Sequence, residues 1–300
     1  MQNILITGDC GLIGESLKRR LLEIGHGVIG YDLAGEIPRD IMNRSLLSSE
    51  VAACTGIVHL AAVSRVIHGE LDPELCRSVN VQGTRNVLMA AASAGRKPPW
   101  VIYGSSREVY GQARILPVTE SGPLNPINTY ARSKVRAERL VISAMSESDV
   151  NATIVRFSGV YGSASDYRDR VVPAFARMAA SGGTLLVEGG QTVLDFTHVD
   201  DVVGALVRII ELMSAGEAVP TMHLVSGRGT TLLELALMST RATGRGEIVL
   251  TNPRRFDVSA FIGDPTLAQR VLGWTAGTSL EDGVRRLITL FEEQGKVRNW

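Results

Sequence analysis

Short runs rich in β-branched residues alternate with longer amphipathic stretches through the first half of the chain, and this alternation constrains its fold more than any single residue does. "NILIT" is followed by an amphipathic segment at 12–24, "GIVHL" by one at 73–94 and "WVIYG" by one at 129–147, while "GVIGY" and "ATIVRF" add two more apolar runs. Strands lying side by side in the same direction need a crossover of helical length between them. The order therefore predicts an α/β chain with a doubly wound parallel sheet. Ligands of such sheets bind beyond the carboxyl ends of the strands. After about residue 158 the signals shorten and the loops lengthen, as in "YGSASDYRDR" and "TNPRRFDVSAFIGDP". Residues 1–158 are thus expected to form the sheet domain, and 159–300 a smaller substrate-binding α/β region interleaved with it. In "DPELCRSVN" and "DPTLAQRVLGW" an Asp before Pro marks a helix start.

At 300 residues and 45% hydrophobic composition the chain can bury a sizeable core. Its 31 basic residues balance 31 acidic ones, so no global field draws it to nucleic acid or an anionic membrane, and any anion site must be local. The longest oily segment, "DDVVGALVRIIELM", falls short of the roughly 20 apolar residues of a membrane span and carries charges at helical spacing. Cys10, Cys54 and Cys76 form no CxxC, and "MQNILIT" lacks a basic leader, which points to a reduced cytoplasm. No metal site is expected: His198, ahead of "VDDV", has no His or Cys partner at ligand spacing and reads as a helix start. Lys18, Arg19 and Arg20 read as a solvated helix face, and "LITLFEEQGKVRNW" as a last amphipathic helix with a frayed tail.

Two stretches carry chemistry. "GDCGLIG" places Gly8, Gly11 and Gly14 between a strand and a helix, where glycine permits a tight turn and lets helix N–H groups approach a pyrophosphate. An ordinary strand-to-helix turn is the plain alternative. The next strand ends at Asp32, 18 positions beyond Gly14. A carboxylate there accepts from both ribose hydroxyls and repels a 2′-phosphate, favouring NAD over NADP, unless it is merely a solvated loop acid. "YARSK" then puts Tyr130 and Lys134 four apart, on one helix face. A free tyrosine, with a pKa of about 10, is too weak a base at neutral pH. A nearby ammonium and a cationic nicotinamide favour its phenolate, which takes an alcohol proton. A surface Tyr/Lys pair is the alternative.

Beyond "TGDCGLIG" and "YARSK", the chain contains "HLAAVS" (59–64), "NVQGTRNVL" (80–88), "SSREVYG" (105–111), "RFSGVYG" (156–162), "DFTHVDDV" (195–202) and "LGWTAGTSLEDGV" (272–284). With these segments in this order, and GxxGxxG in place of GxGxxG, it resembles the extended short-chain dehydrogenase/reductase family over nearly its whole length. The resemblance implies a Rossmann-like fold, NAD as cofactor, and a homodimer formed through the two helices carrying Asn80 and Tyr130. It implies cofactor contacts from Gly8, Gly11, Leu12, Ile13, Gly14, Asp32, Leu60, Ala61, Ala62 and Phe157. Asp40 and Ile41 would flank the adenine, and Asn80 would support the active-site helix. Ser106, with Ser105 as the weaker candidate, would join Tyr130 and Lys134 in catalysis.

For the substrate, the resemblance implies a nucleotide sugar contacted by Ser64, Ser106, Arg170 and Arg254. Arg168 and Arg170 also read as solvated loop charges. Two departures stand out: Leu194 replaces a diphosphate-binding Arg, and Gly159 replaces a substrate-contacting Asn. Glu108 matches a proton-transfer residue of similar dehydratases and decarboxylases, but Arg107 stands where dehydratases have an Asp, and Glu108 in an ion pair with a neighbouring Arg is an equal reading. The leading expectation is a nucleotide-sugar 4-epimerase. A decarboxylase or dehydratase using Glu108, a dehydrogenase of a non-nucleotide sugar, and a non-catalytic NAD sensor stay open.

Overall fold

A computed structural model describes residues 2–95, 97–254 and 256–297. Strands β1 (Asn3–Thr7), β2 (Gly27–Tyr31), β3 (Gly56–His59), β4 (Trp100–Ser106) and β5 (Ala152–Phe157) alternate with helices α1 (Leu12–Glu23), α2 (Arg44–Val51), α3 (Val66–Leu71), α4 (Pro73–Arg77), α5 (Thr84–Ala92) and α6 (Thr129–Glu147). The second half supplies β6 (Val160–Tyr161), α7 (Val171–Ser181), β7 (Thr184–Glu188), β8 (Val193–Asp195), β9 (Thr197–His198), α8 (Val199–Ser214), β10 (Met222–Leu224), β11 (Gly229–Thr231), α9 (Leu232–Thr243), β12 (Glu247–Thr251), α10 (Thr266–Leu272) and α11 (Leu280–Val297). The expected frayed tail, Arg298–Trp300, lies outside the described residues.

Six strands form one sheet in the order β2–β1–β3–β4–β5–β10, every pair parallel. This is the doubly wound, Rossmann-like sheet. β1 lies between β2 and β3, so the winding reverses there and leaves a crevice beyond Thr7 and His59. β10 comes from the second half of the chain and extends the first-half sheet.

The two-residue period of the strands sorts the core. Ile4 and Ile6 of β1 join Leu17 and Leu21 of α1 and Val202, Leu206 and Ile209 of α8 on one face. Leu5 joins Val87 and Leu88 of α5 and Ala137 and Val141 of α6 on the other. Each such large aliphatic contributes about 1.5–3 kcal/mol on full burial, so the sheet is fixed from both sides. A third cluster, including Phe175, Leu185, Leu235 and Leu287, carries the outer half.

Helix α6 occupies the span its periodicity predicts, capped by Asn128, whose side chain accepts from the Ala131 amide at 2.8 Å. The stretch expected as helical over 73–94 is helical without a gap from Pro73 to Ala92, but not uniformly α. It runs through α4, a π-helical turn at Ser78–Gly83 and α5. Gly83 packs so closely on Ile41 that an added Cβ would lie 2.4 Å from its Cδ1. The Asn80 side chain, in the same turn, is bonded outward to Val63 and to Ser133 of α6 as well as to Cys76 one turn back. Among the described residues, no helix is long and apolar enough to cross a membrane.

Candidate active site

Beyond the carboxyl ends of the central strands lies a cavity of about 810 Å³. Its floor at β1 is the glycine turn. Gly8 has φ +76, and an added Cβ would lie 2.7 Å from the Ala61 backbone nitrogen; one on Gly14 would lie 2.2 Å from the Gly8 carbonyl oxygen. Both positions admit only glycine. Gly11 differs: a Cβ there meets only the Gly8 carbonyl oxygen, at 3.4 Å, and the residue lines the cavity. The chain itself leaves room there, so glycine serves close approach of something outside the chain. The Asp32 carboxylate pins the turn, accepting from the Cys10 amide at 3.2 Å and the Ala34 amide at 2.9 Å.

Leu12, Ile13, Asp40, Ile41, Leu60, Ala61, Ala62, Ser64, Ser106, Glu108, Tyr130, Lys134, Phe157, Arg170 and Arg254 line the same cavity. Asn80 is the exception among the candidates. It is 1% exposed, and its amide spends its bonds on scaffolding: its oxygen accepts from the Val63 amide at 2.8 Å, and its nitrogen donates to the Val63 carbonyl at 3.1 Å and to Ser133 Oγ of α6 at 2.9 Å. It therefore braces the Ala62–Ser64 loop against α6 instead of facing the cavity.

Ser105 and Ser106 end β4, but their hydroxyls go different ways. Both residues line the cavity, but Ser105 Oγ donates to buried Glu138 at 2.5 Å, whereas Ser106 Oγ accepts from the Glu108 amide at 3.2 Å. Lys134 is buried and donates to the Gly104 carbonyl at 2.8 Å. Burial brings its ammonium down to about 8, against partial support from Cys76 and Glu138. Burial likewise pushes the Tyr130 phenol up to about 12, although Ser106 and Arg170 favour its phenolate; Glu108 opposes it. Lys134 Nζ lies 5.8 Å from the Tyr130 ring centroid and is held by the Gly104 carbonyl. The expected lowering of Tyr130 by Lys134 is thus not what the protein's own groups produce, because desolvation outweighs them.

Glu108 is buried between two donors, Arg107 at 2.8 Å and Asn128 Nδ2 at 2.9 Å. Arg254 pairs with Asp257 at 2.9 Å, and Arg170 sits 3.4 Å from buried Asp166. Leu194 lies on β8 opposite Thr230 and outside the cavity lining. Gly159 has φ +37, and an added Cβ would lie 2.5 Å from the Asp195 carbonyl oxygen, so this backbone excludes an Asn there. Sequence reasoning missed Arg65, which lines the cavity, forms a bidentate pair with Asp169 and sits 5.5 Å over the Tyr167 ring. No motif flagged it, because its partner lies 104 positions away.

Asp9, Cys10 and Asp32 hold potential ligand atoms within 4.8 Å of one another, but Asp9 is paired with Lys18 at 2.8 Å and Asp32 with backbone amides. Lys18 is thereby part of the turn's electrostatics rather than only a solvated face. His198 caps α8, accepting from the Asp200 amide at 3.2 Å.

A family model described as the NAD dependent epimerase/dehydratase family matches residues 4–223. The chain belongs to that family. A UDP-glucose 4-epimerase of Mycolicibacterium smegmatis is 30% identical over 315 residues, covering 97% of this chain and 99% of that protein. The crystal structure of UDP-glucose 4-epimerase with UDP-glucose from Thermotoga maritima is 28% identical, with TM-score 0.91, covering 97% of this chain and 99% of that one. DesIV, a dTDP-glucose 4,6-dehydratase from Streptomyces venezuelae with NAD and TYD bound, is 26% identical with TM-score 0.89, covering 98% of each chain. The cofactor of this family is NAD. The glycine turn fits it: two glycines are fixed by the chain's own packing, while Gly11 leaves open space beside helix N–H groups.

Proposed function

We propose that this enzyme is a cytoplasmic, homodimeric UDP-hexose 4-epimerase in which Ser106, Tyr130 and Lys134 do the chemistry. The reading rests chiefly on one observation: these three residues line the same cavity as the glycine turn and Asp32. The turn, Leu12, Ile13, Asp32, Asp40, Ile41, Leu60–Ala62 and Phe157 hold the dinucleotide, and Asn80 braces its wall. Residues 1–158 thus supply cofactor and catalytic groups, and 159–300 shape most of the substrate side. Bound NAD supplies reversible hydride acceptance at the sugar's C4.

Tyr130 takes the proton of the 4-hydroxyl and returns it after the sugar has turned over. Ser106 holds the same oxygen and keeps it within reach of the phenol. Lys134, already brought down to about 8, sits where a modest change in nearby charge alters its protonation near neutral pH. Ser64, Arg170 and Arg254 face the substrate, the arginines offering planar forks to its diphosphate in place of the missing arginine at 194.

Glu108 carries the rival dehydratase or decarboxylase reading, and its two donors argue against it: Arg107 holds one carboxylate oxygen and Asn128 the other, which ties the side chain to its neighbours instead of leaving it free to reach a sugar. For dimerisation, exposed Met89 of α5 and Ile142 and Met145 of α6 offer apolar surface on the helices the family resemblance singles out. Tyr130→Phe tests the catalytic assignment. It should lose UDP-glucose/UDP-galactose interconversion by at least about a thousandfold while keeping bound NAD; retained turnover would refute it.

A further inference from the structure

Behind β4 lies a buried cluster of polar groups. Glu138 is 1% exposed and Arg156 6% exposed, and they meet across two hydrogen bonds, Arg156 Nε to Glu138 Oε1 at 2.9 Å and Nη2 to Oε2 at 2.7 Å. Arg156 spends Nη1 on the Tyr110 hydroxyl at 2.5 Å and the Glu120 carbonyl at 2.8 Å. In the β4–β5 register Ser105 is the partner of Arg156, and the Ser105 hydroxyl donates to the Glu138 oxygen that already accepts from Arg156 Nε.

Lys134 and Glu138 are one turn apart on α6, so they leave the same helix face. They grip consecutive residues of β4: Lys134 donates to the Gly104 carbonyl, and Glu138 accepts from Ser105. The next residue along the strand is Ser106, and one turn before Lys134 on the helix is Tyr130. The two reacting side chains thus stand on elements joined by two rungs. One rung uses Lys134, whose ammonium is itself part of the chemistry. The other touches nothing in the cavity except through Ser105.

We propose that Glu138, held by Arg156, is a positioning residue for the reaction: through Ser105 it locks the end of β4 to α6 and so fixes the Ser106-to-Tyr130 distance independently of Lys134. This rests on the assignment of Ser106 and Tyr130 as the reacting pair. The Glu138–Arg156 ion pair supplies stiffness at the cost of desolvating two charges, so its retention behind a reaction site is better explained by geometry than by stability.

Ser105→Ala is the decisive variant, since it removes the rung and leaves the ion pair whole. Tyr130 is faced by Ser106 and Tyr103 of β4, Glu108 of the turn that follows, Arg170 ahead of α7, Cys76 of α4 and Lys134 of its own helix. Of these, Ser106 is the one the rung controls. Loosening it withdraws a group that favours the phenolate, so the kcat/KM profile of Ser105→Ala should move toward alkaline pH. We expect kcat to fall about tenfold, KM for UDP-glucose to stay within about twofold, and the melting temperature to change little. Ser105→Thr should restore the profile.

Glu138→Gln should shift the profile in the same direction once each rate is divided by the folded fraction measured at that pH, a correction needed because stability itself varies with pH. Wild-type kcat and an unmoved profile in Ser105→Ala would overturn the proposal. If Tyr130→Phe kept its activity, the underlying catalytic assignment would fail instead, so the two failures are distinguishable.

Discussion

Burying Lys134 should leave a signature in stability as well as in catalysis. Its ammonium is brought from 10.5 to about 8, chiefly by desolvation, and the residue is only 4% exposed. In the unfolded chain it titrates near its ordinary value, so between about pH 8 and 10.5 the unfolded state binds more protons than the folded state. Stability therefore rises with pH across that window and is lowest below it, where the folded protein must carry a buried charge. At about 1.4 kcal/mol per pH unit the cost at pH 7 is on the order of 3 kcal/mol.

Lys134→Met keeps the apolar stem and removes the charge. Urea unfolding of NAD-free wild type and variant, followed by circular dichroism from pH 7 to 10, isolates the effect. Cys54, which burial pushes up to about 11, titrates in both proteins and cancels in the difference. The variant should be more stable at pH 7 by about 2–3 kcal/mol, with the gap closing toward pH 10. Parallel curves, or a less stable variant at pH 7, would refute the reasoning.

Four other outcomes follow from the site. Gly8→Ala forces a Cβ onto the Ala61 backbone at positive φ and should cost about 1–3 kcal/mol in unfolding free energy together with NAD binding, whereas Gly11→Ala should spare stability and weaken NAD binding alone, read by cofactor retained after gel filtration. Asp32→Asn should weaken NAD by about tenfold and narrow its preference over NADP, measured by titration calorimetry. Arg170→Gln should raise KM for UDP-glucose by about tenfold or more if it makes the proposed charge-assisted contact to the diphosphate, and should also lower the melting temperature, because it leaves buried Asp166 without its guanidinium. For the proposed homodimer, sedimentation velocity should find wild type as a dimer and Ile142→Glu on α6 as a monomer.

The parts of this enzyme that sequence disclosed are those whose cause is local. Gly8 and Gly14 are read from spacing because a turn of that shape admits nothing else, and Tyr130 with Lys134 because helical period places them together. The span of α6 follows from its own pattern of apolar residues. What stayed hidden depends on distant partners. Asn80 sits in a motif, but its brace against Val63 and Ser133 is visible only when α6 is folded beside it. The glycine at 83 within the helix over 73–92 has its reason in Ile41, and the fixed position of Arg65 in Asp169, 104 positions away. Gly159 looked like a lost substrate contact, yet the Asp195 carbonyl leaves no space for a side chain. Family resemblance ranks Ser106 above Ser105, but the bond that ties the Ser105 hydroxyl to Glu138, 33 positions away, is not legible in sequence.

The most direct test of the central claim is to incubate the purified holoenzyme with UDP-glucose and follow product mass and NADH absorbance together. The account predicts a product of unchanged mass that co-elutes with UDP-galactose, with no net NADH. A product lighter by water or carbon dioxide, or NADH formed in proportion to sugar consumed, would contradict it.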